Sequence, residues 1–195
     1  MASMIRIICG DPNGIRNTKT KNDNDSFGMV GIELDLDREQ VDIRYAKVWT
    51  GKSYGEVIAD FKKDYMRIKP KFFGLETNNT GHVAIREFRA AGMNAHGINT
   101  VSSLTELNRH KWQAMDKAFT VQYLKKKKRA QELLWPPKSS KAMKILENQC
   151  LSISEYVTLS GKAGYKARQG QHDDLFSALL LCVHMARIYI ERDKN

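Results

Sequence analysis

The chain has 195 residues, 42% apolar and 28% charged, which excludes a disordered or fibrous protein and fits a single domain spanning residues 1–195. Lys and Arg outnumber Asp and Glu by 32 to 22, a formal charge of +10, so a polyanionic partner is expected, nucleic acid ahead of a membrane surface. Cys9, Cys150 and Cys182 are odd in number and widely spaced, which argues against a disulfide framework or zinc site. No stretch approaches the roughly 18 apolar residues of a membrane span, and a soluble, unexported chain in a reducing compartment is the expectation.

Ile5 to Cys9 is a short apolar run closed by Gly10-Asp11-Pro12-Asn13-Gly14, the pattern of a buried strand ending in a loop. A polar stretch from Ile15 to Asp25 comes next. Two β-rich runs, Ser26 to Leu36 and Gln40 to Trp49, then read as a hairpin. Ser53 with Glu56 three residues on is a capping box, and Val57, Ile58, Phe61 and Tyr65 share one helical face, predicting a helix to about Arg67 that stops before Pro70. Gly51-Lys52-Ser53 resembles the end of a phosphate-binding loop, but the first glycine of that motif would fall at Ala46, so the segment is read as a helix start.

Lys71 to Leu75 predicts another buried strand, delivering Glu76 into the turn Thr77-Asn78-Asn79-Thr80-Gly81. A helix through Val83, Ile85, Phe88 and Ala91 is stopped by Gly92, and Asn94 to Asn99 predicts a further strand. This order of elements, with its crossovers, specifies an α/β domain with partly parallel pairing. Beyond Val101 the pattern predicts helices over 112–127 and 139–149 and a strand over 152–158. The final segment from Asp173 to Ile190 is apolar on nearly every face, a helix packed deep against the sheet with Asp173 and Asp174 in its first turn.

Asp11, Glu76 and the Asp173-Asp174 pair each stand where an apolar element begins or ends. Carboxylates gathered at strand ends repel one another unless a hard cation neutralises them. Mg²⁺ or Mn²⁺ is therefore expected, and two such ions about 4 Å apart are suited to phosphodiester hydrolysis. Lys125-Lys126-Lys127-Lys128-Arg129 is the densest basic run; Lys19, Lys21, Lys166 and Arg168 flank the acidic positions and are candidate DNA-gripping residues. Trp112, Trp135 and the histidines His82, His96, His110 and His184 are read as structural.

Gly10-Asp11-Pro12, Gly74-Leu75-Glu76-Thr77-Asn78-Asn79-Thr80-Gly81 and Gly170-Gln171-His172-Asp173-Asp174-Leu175 before an Ala- and Leu-rich helix together resemble the nuclease domain of the viral and phage terminase large subunit. That family belongs to the ribonuclease H-like superfamily, and the resemblance covers nearly the whole chain. It implies a mixed central sheet flanked by helices, and a metal-dependent endonuclease that cleaves concatemeric viral genome DNA during packaging. Metal binding falls on Asp11, Glu76 and Asp173, with Asp174 sharing the second ion. It further implies double-stranded DNA, a packaging ATPase motor, the small terminase subunit and the portal as partners. The setting it implies is the host cytoplasm, or the nucleus of a eukaryotic host. The alternatives are a Holliday-junction resolvase-like nuclease and a non-catalytic basic DNA-binding module.

Overall fold

A computed structural model of the chain describes residues 4–12, 26–78, 81–101, 111–137, 140–157, 163–167 and 173–194. The first apolar run forms β1 (Met4–Asp11), followed by the hairpin β2 (Ser26–Asp35) and β3 (Gln40–Thr50). α1 (Tyr54–Ile68) begins at the expected capping box: Ser53 accepts from the Glu56 amide, and the Glu56 carboxylate accepts from the Ser53 amide at 2.9 Å. It ends with Lys69 in the left-handed region at φ 50°, ahead of Pro70. β4 (Phe72–Glu76), α2 (Gly81–Ala90) and β5 (Ala95–Val101) complete the alternating part.

The second half departs from the expectations in two places. The helix predicted from Trp112 starts five residues later as α3 (Lys117–Arg129), because Ala114–Asp116 pairs with β5 as a short strand, β6. The strand expected over 152–158 is β8 (Ile153–Val157), and it has an antiparallel partner, β9 (Ala163–Ala167), that no apolar pattern announces. Between these lie β7 (Leu133–Leu134) and α4 (Lys141–Ser152), the latter capped by Ser140. α5 (Asp174–Asp193) closes the chain.

Seven strands make one sheet in the order β6-β5-β4-β1-β2-β3-β7. β1, β4, β5 and β6 run parallel, whereas β1, β2 and β3 are antiparallel neighbours. α1 and α2 cover one face over an aromatic cluster in which Phe61 lies 5.3 Å from Phe73 and 6.0 Å from Phe88 between ring centroids. Full burial of a ring such as Phe61 contributes roughly 1.5–3 kcal/mol. α3, α4 and α5 cover the other face, where α5 buries residues all round its circumference from Leu175 to Ile190. Among the described residues no helix is long and apolar enough to cross a membrane.

Candidate active site

Parallel pairing puts the carboxyl ends of β1 and β4 side by side. Gly10 is registered with Leu75, so one rung further Asp11 stands beside Glu76. Both side chains turn to the α5 face. Two residues before them, Cys9 and Gly74 meet on that face, where a Cβ on Gly74 would lie 3.2 Å from the Cys9 sulfur, and alternate residues of a strand share a face. Asp11 is 3% and Glu76 7% exposed, an environment that carboxylates enter only when paired.

The turn after β4 holds Glu76 in place. Asn78 Nδ2 donates to Glu76 Oε1 at 3.2 Å and to the Thr100 carbonyl at 3.0 Å, tying the end of β4 to β5. A Cβ on Gly81 would clash with the Glu76 carbonyl oxygen, so the backbone approach at that position requires glycine.

The third contribution comes from α5. Asp11 pairs across the antiparallel ladder with Gly28. A Cβ there would lie 2.7 Å from the carbonyl carbon of Asp174 and 2.8 Å from the Leu175 nitrogen. Opposed residues of an antiparallel pair point the same way, so the missing side chain of Gly28 lets the first turn of α5 settle against the sheet next to Asp11. Asp174 is buried, 9% exposed.

Asp173 occupies the N-cap position of α5 yet makes no side-chain cap bond. The buried Gln149 of α4 takes over that duty, its Oε1 accepting from the Phe176 amide at 2.9 Å. The Asp173 carboxylate points instead to Lys117, with Nζ 3.4 Å from Oδ2 and side-chain exposures of 27% and 31%. Lys117 opens α3, and the preceding Asp116, buried at the end of β6, caps that helix by accepting from the Phe119 amide at 2.9 Å.

Asp11 and Glu76 thus share a face and an end of the sheet, and the first turn of α5, which bears Asp173 and Asp174, lies against the same end. Their donor chemistry, all oxygen and all anionic, suits a hard divalent cation. Among the described residues no three His, Cys, Asp or Glu side chains close into a metal-ligating group.

The basic candidates divide. Lys127 is a correction: it is buried at 4% exposure, with Nζ donating to Glu132 Oε2 and to the Glu39 carbonyl, both at 2.7 Å, so it cannot present its charge to DNA. Glu39 lies in the turn before β3, whose start pairs with the end of β2 and hence with the first residue of β1. The lysine cage is therefore at the opposite end of the sheet from Asp11. Lys125 pairs with Glu155 at 3.3 Å and lies over the Tyr165 ring, while Lys126 and Lys128 face solvent. Lys166 is exposed with its ammonium over Tyr156. Lys19, Lys21, Arg168 and His172 lie outside the described residues.

His184 is a core residue as expected, buried with Nε2 3.1 Å from the Trp112 carbonyl. Burial, and secondarily the charge of Arg187, holds its pKa down at about 4. Trp112 and Trp135 pack against the core. Gly28, Gln149 and Lys117 escape a reading of the sequence, since each acts on a partner distant in the chain.

No protein-family model matches the chain and no curated protein matches its sequence. Solved structures do match in fold. The large terminase nuclease from thermophilic phage G20c with bound magnesium superposes with a TM-score of 0.62 at 18% identity, over 93% of this chain and 81% of that one. The nuclease domain of the large terminase subunit of bacterial virus Sf6 gives 0.65 at 11% identity over 92% and 88%. The P22 large terminase nuclease domain gives 0.63 at 10% identity over 95% and 82%. The chain has the ribonuclease H-like fold of these domains: among the described residues, a mixed, seven-stranded sheet flanked by five helices.

Proposed function

We propose that this chain is a metal-dependent DNA endonuclease acting in phage genome packaging, the nuclease part of a large terminase, with Asp11, Glu76 and Asp174 as its principal metal-holding carboxylates and Asp173 beside them. The observation that carries the reading is the register linking Asp11, Glu76 and Gly28, with Gly28 in turn against the Asp174 backbone. It brings the ends of β1 and β4 and the first turn of α5 to one end of the sheet, which supports the reading. The G20c nuclease is known with bound magnesium and with bound cobalt, and a variant Sf6 nuclease domain with manganese, which supports a divalent cation here.

Two Mg²⁺ or Mn²⁺ ions, when bound, supply an activated water and a charge against the leaving oxygen of the phosphodiester. The chain's own residues do the positioning. Asp11 and Glu76 are fixed by the sheet, Glu76 is further oriented by Asn78, and a bound cation would offset the repulsion between neighbouring carboxylates. The resemblance favours Asp173 as the third ligand. Burial of Asp174 against Gly28 and the engagement of Asp173 with Lys117 support exchanging the two roles. Lys126, Lys128 and Lys166, together with Lys19, Lys21 and Arg168, are the proposed phosphate contacts. The ATPase motor, small subunit and portal are the proposed partners in an infected cell.

Supercoiled, linear and four-way-junction DNA, each incubated with Mg²⁺, Mn²⁺, Ca²⁺ or chelator, test this reading. Nicking of supercoiled plasmid in Mg²⁺ or Mn²⁺ and none in chelator is the expected result. Cleavage that persists in chelator defeats the metal mechanism, and strong preference for junctions moves the assignment to a resolvase.

A further inference from the structure

The pairing of Lys117 with Asp173 is unusual at both ends. Lys117 is the first residue of α3, whose first turn holds no acidic side chain. A cation there opposes the helix dipole, which favours negative charge at an N-terminus. Asp173 stands at the N-cap of α5, where a short carboxylate ordinarily accepts from the backbone of its own helix, and it makes no such bond. Gln149 of α4 performs that capping instead. α5 thus forgoes a cap from its own N-cap residue, α3 keeps the Asp116 cap but carries a cation in its first turn, and the two side chains meet across 56 positions of sequence at 3.4 Å.

The place of the contact gives it meaning. Asp116 caps α3 and ends β6, which pairs in parallel with β5; β5 pairs with β4, the strand that ends at Glu76. Lys117 is therefore delivered to the same end of the sheet as the acidic group, opposite the first turn of α5. Among the described residues it is the lysine that an ion pair ties to the proposed site.

We propose that Lys117 is a positioning residue that serves as an internal cation, holding Asp173 while no metal is bound and surrendering it when a divalent ion enters. This rests on the metal-site reading above. Lys117 then competes with the metal for Asp173 and sets the metal concentration at which the site loads. A unit charge a few ångströms from a bound cation, largely screened by water, changes affinity by about three- to tenfold.

The test is Mn²⁺ titration calorimetry on the intact chain without DNA, a readout independent of cleavage. Lys117→Gln is expected to bind Mn²⁺ about three- to tenfold more tightly than the parent chain, and Lys117→Arg, which keeps the charge, to bind as the parent does. Lys62→Gln, on the opposite face in α1, is expected to change nothing. In an Asp173→Asn background the effect of Lys117→Gln should vanish, because the competition has lost its object. Unchanged or weaker Mn²⁺ binding in Lys117→Gln, with the parent binding normally, overturns the inference and leaves the metal site standing. A parent chain that binds no Mn²⁺ overturns the metal site itself, and this inference with it.

Discussion

Gly28 and Asp174 are in contact across 146 positions of sequence: the space where a Gly28 Cβ would stand is taken by the Asp174 backbone, 2.7 Å away at its carbonyl carbon. Because Gly28 is also the ladder partner of Asp11, this one close approach sets the spacing between the β1 carboxylate and those of α5. Gly28→Ala is expected to push the first turn of α5 outward, costing about 1–3 kcal/mol as an overpacked core site does. Calorimetric melting should fall by several degrees. Plasmid nicking should fall further than the lost stability explains, although Gly28 bears no reactive group. Unchanged nicking would show that the approach does not control the site.

Lys127 is expected to behave as a structural residue. Its partners Glu39 and Glu132 retain 34% and 40% side-chain exposure, so the loss on Lys127→Met stays below that of a fully buried pair, at about 1–3 kcal/mol. DNA affinity and its salt dependence should be unaltered. Lys126→Glu with Lys128→Glu should instead weaken binding and flatten the salt slope, each lost phosphate contact releasing one fewer counterion. Filter binding across a salt series separates the two.

His184 gives a pH signature. Its folded pKa, about 4, lies below the ordinary 6.5, so the unfolded chain takes up the proton first as pH falls. The stability tied to the neutral ring is fully present above pH 6.5, erodes between 6.5 and 4, and amounts to about 3 kcal/mol by the lower limit. His184→Gln should flatten that part of the stability profile measured by urea unfolding. A wild-type curve with no slope there would show that the imidazole is already charged when folded.

How much of the fold is legible in the sequence depends on how local each signal is. Ile5 to Cys9 and Phe72 to Leu75 are apolar runs cut short by turn residues, and they announce both the strands and the carboxylates at their ends. The capping box at Ser53 and the all-apolar α5 are equally local. β6 is not, since three residues pair only because β5 lies beside them, and β9 lacks an alternating apolar pattern. The inward turn of Lys127 and the different surroundings of Asp173 and Asp174 depend on contacts with Glu39, Lys117 and Gly28. A run of five basic residues or a pair of aspartates reads the same whichever way the helix is rotated.

Supercoiled plasmid nicking by Asp174→Asn and Asp173→Asn, each checked for folding by its melting temperature, tests the central claim most directly. Asp174→Asn is expected to lose cleavage while keeping DNA binding. Asp173→Asn, which removes a secondary partner of the metal, should slow by about 10- to 100-fold. A folded Asp174→Asn protein that nicks plasmid at the wild-type rate would contradict the account.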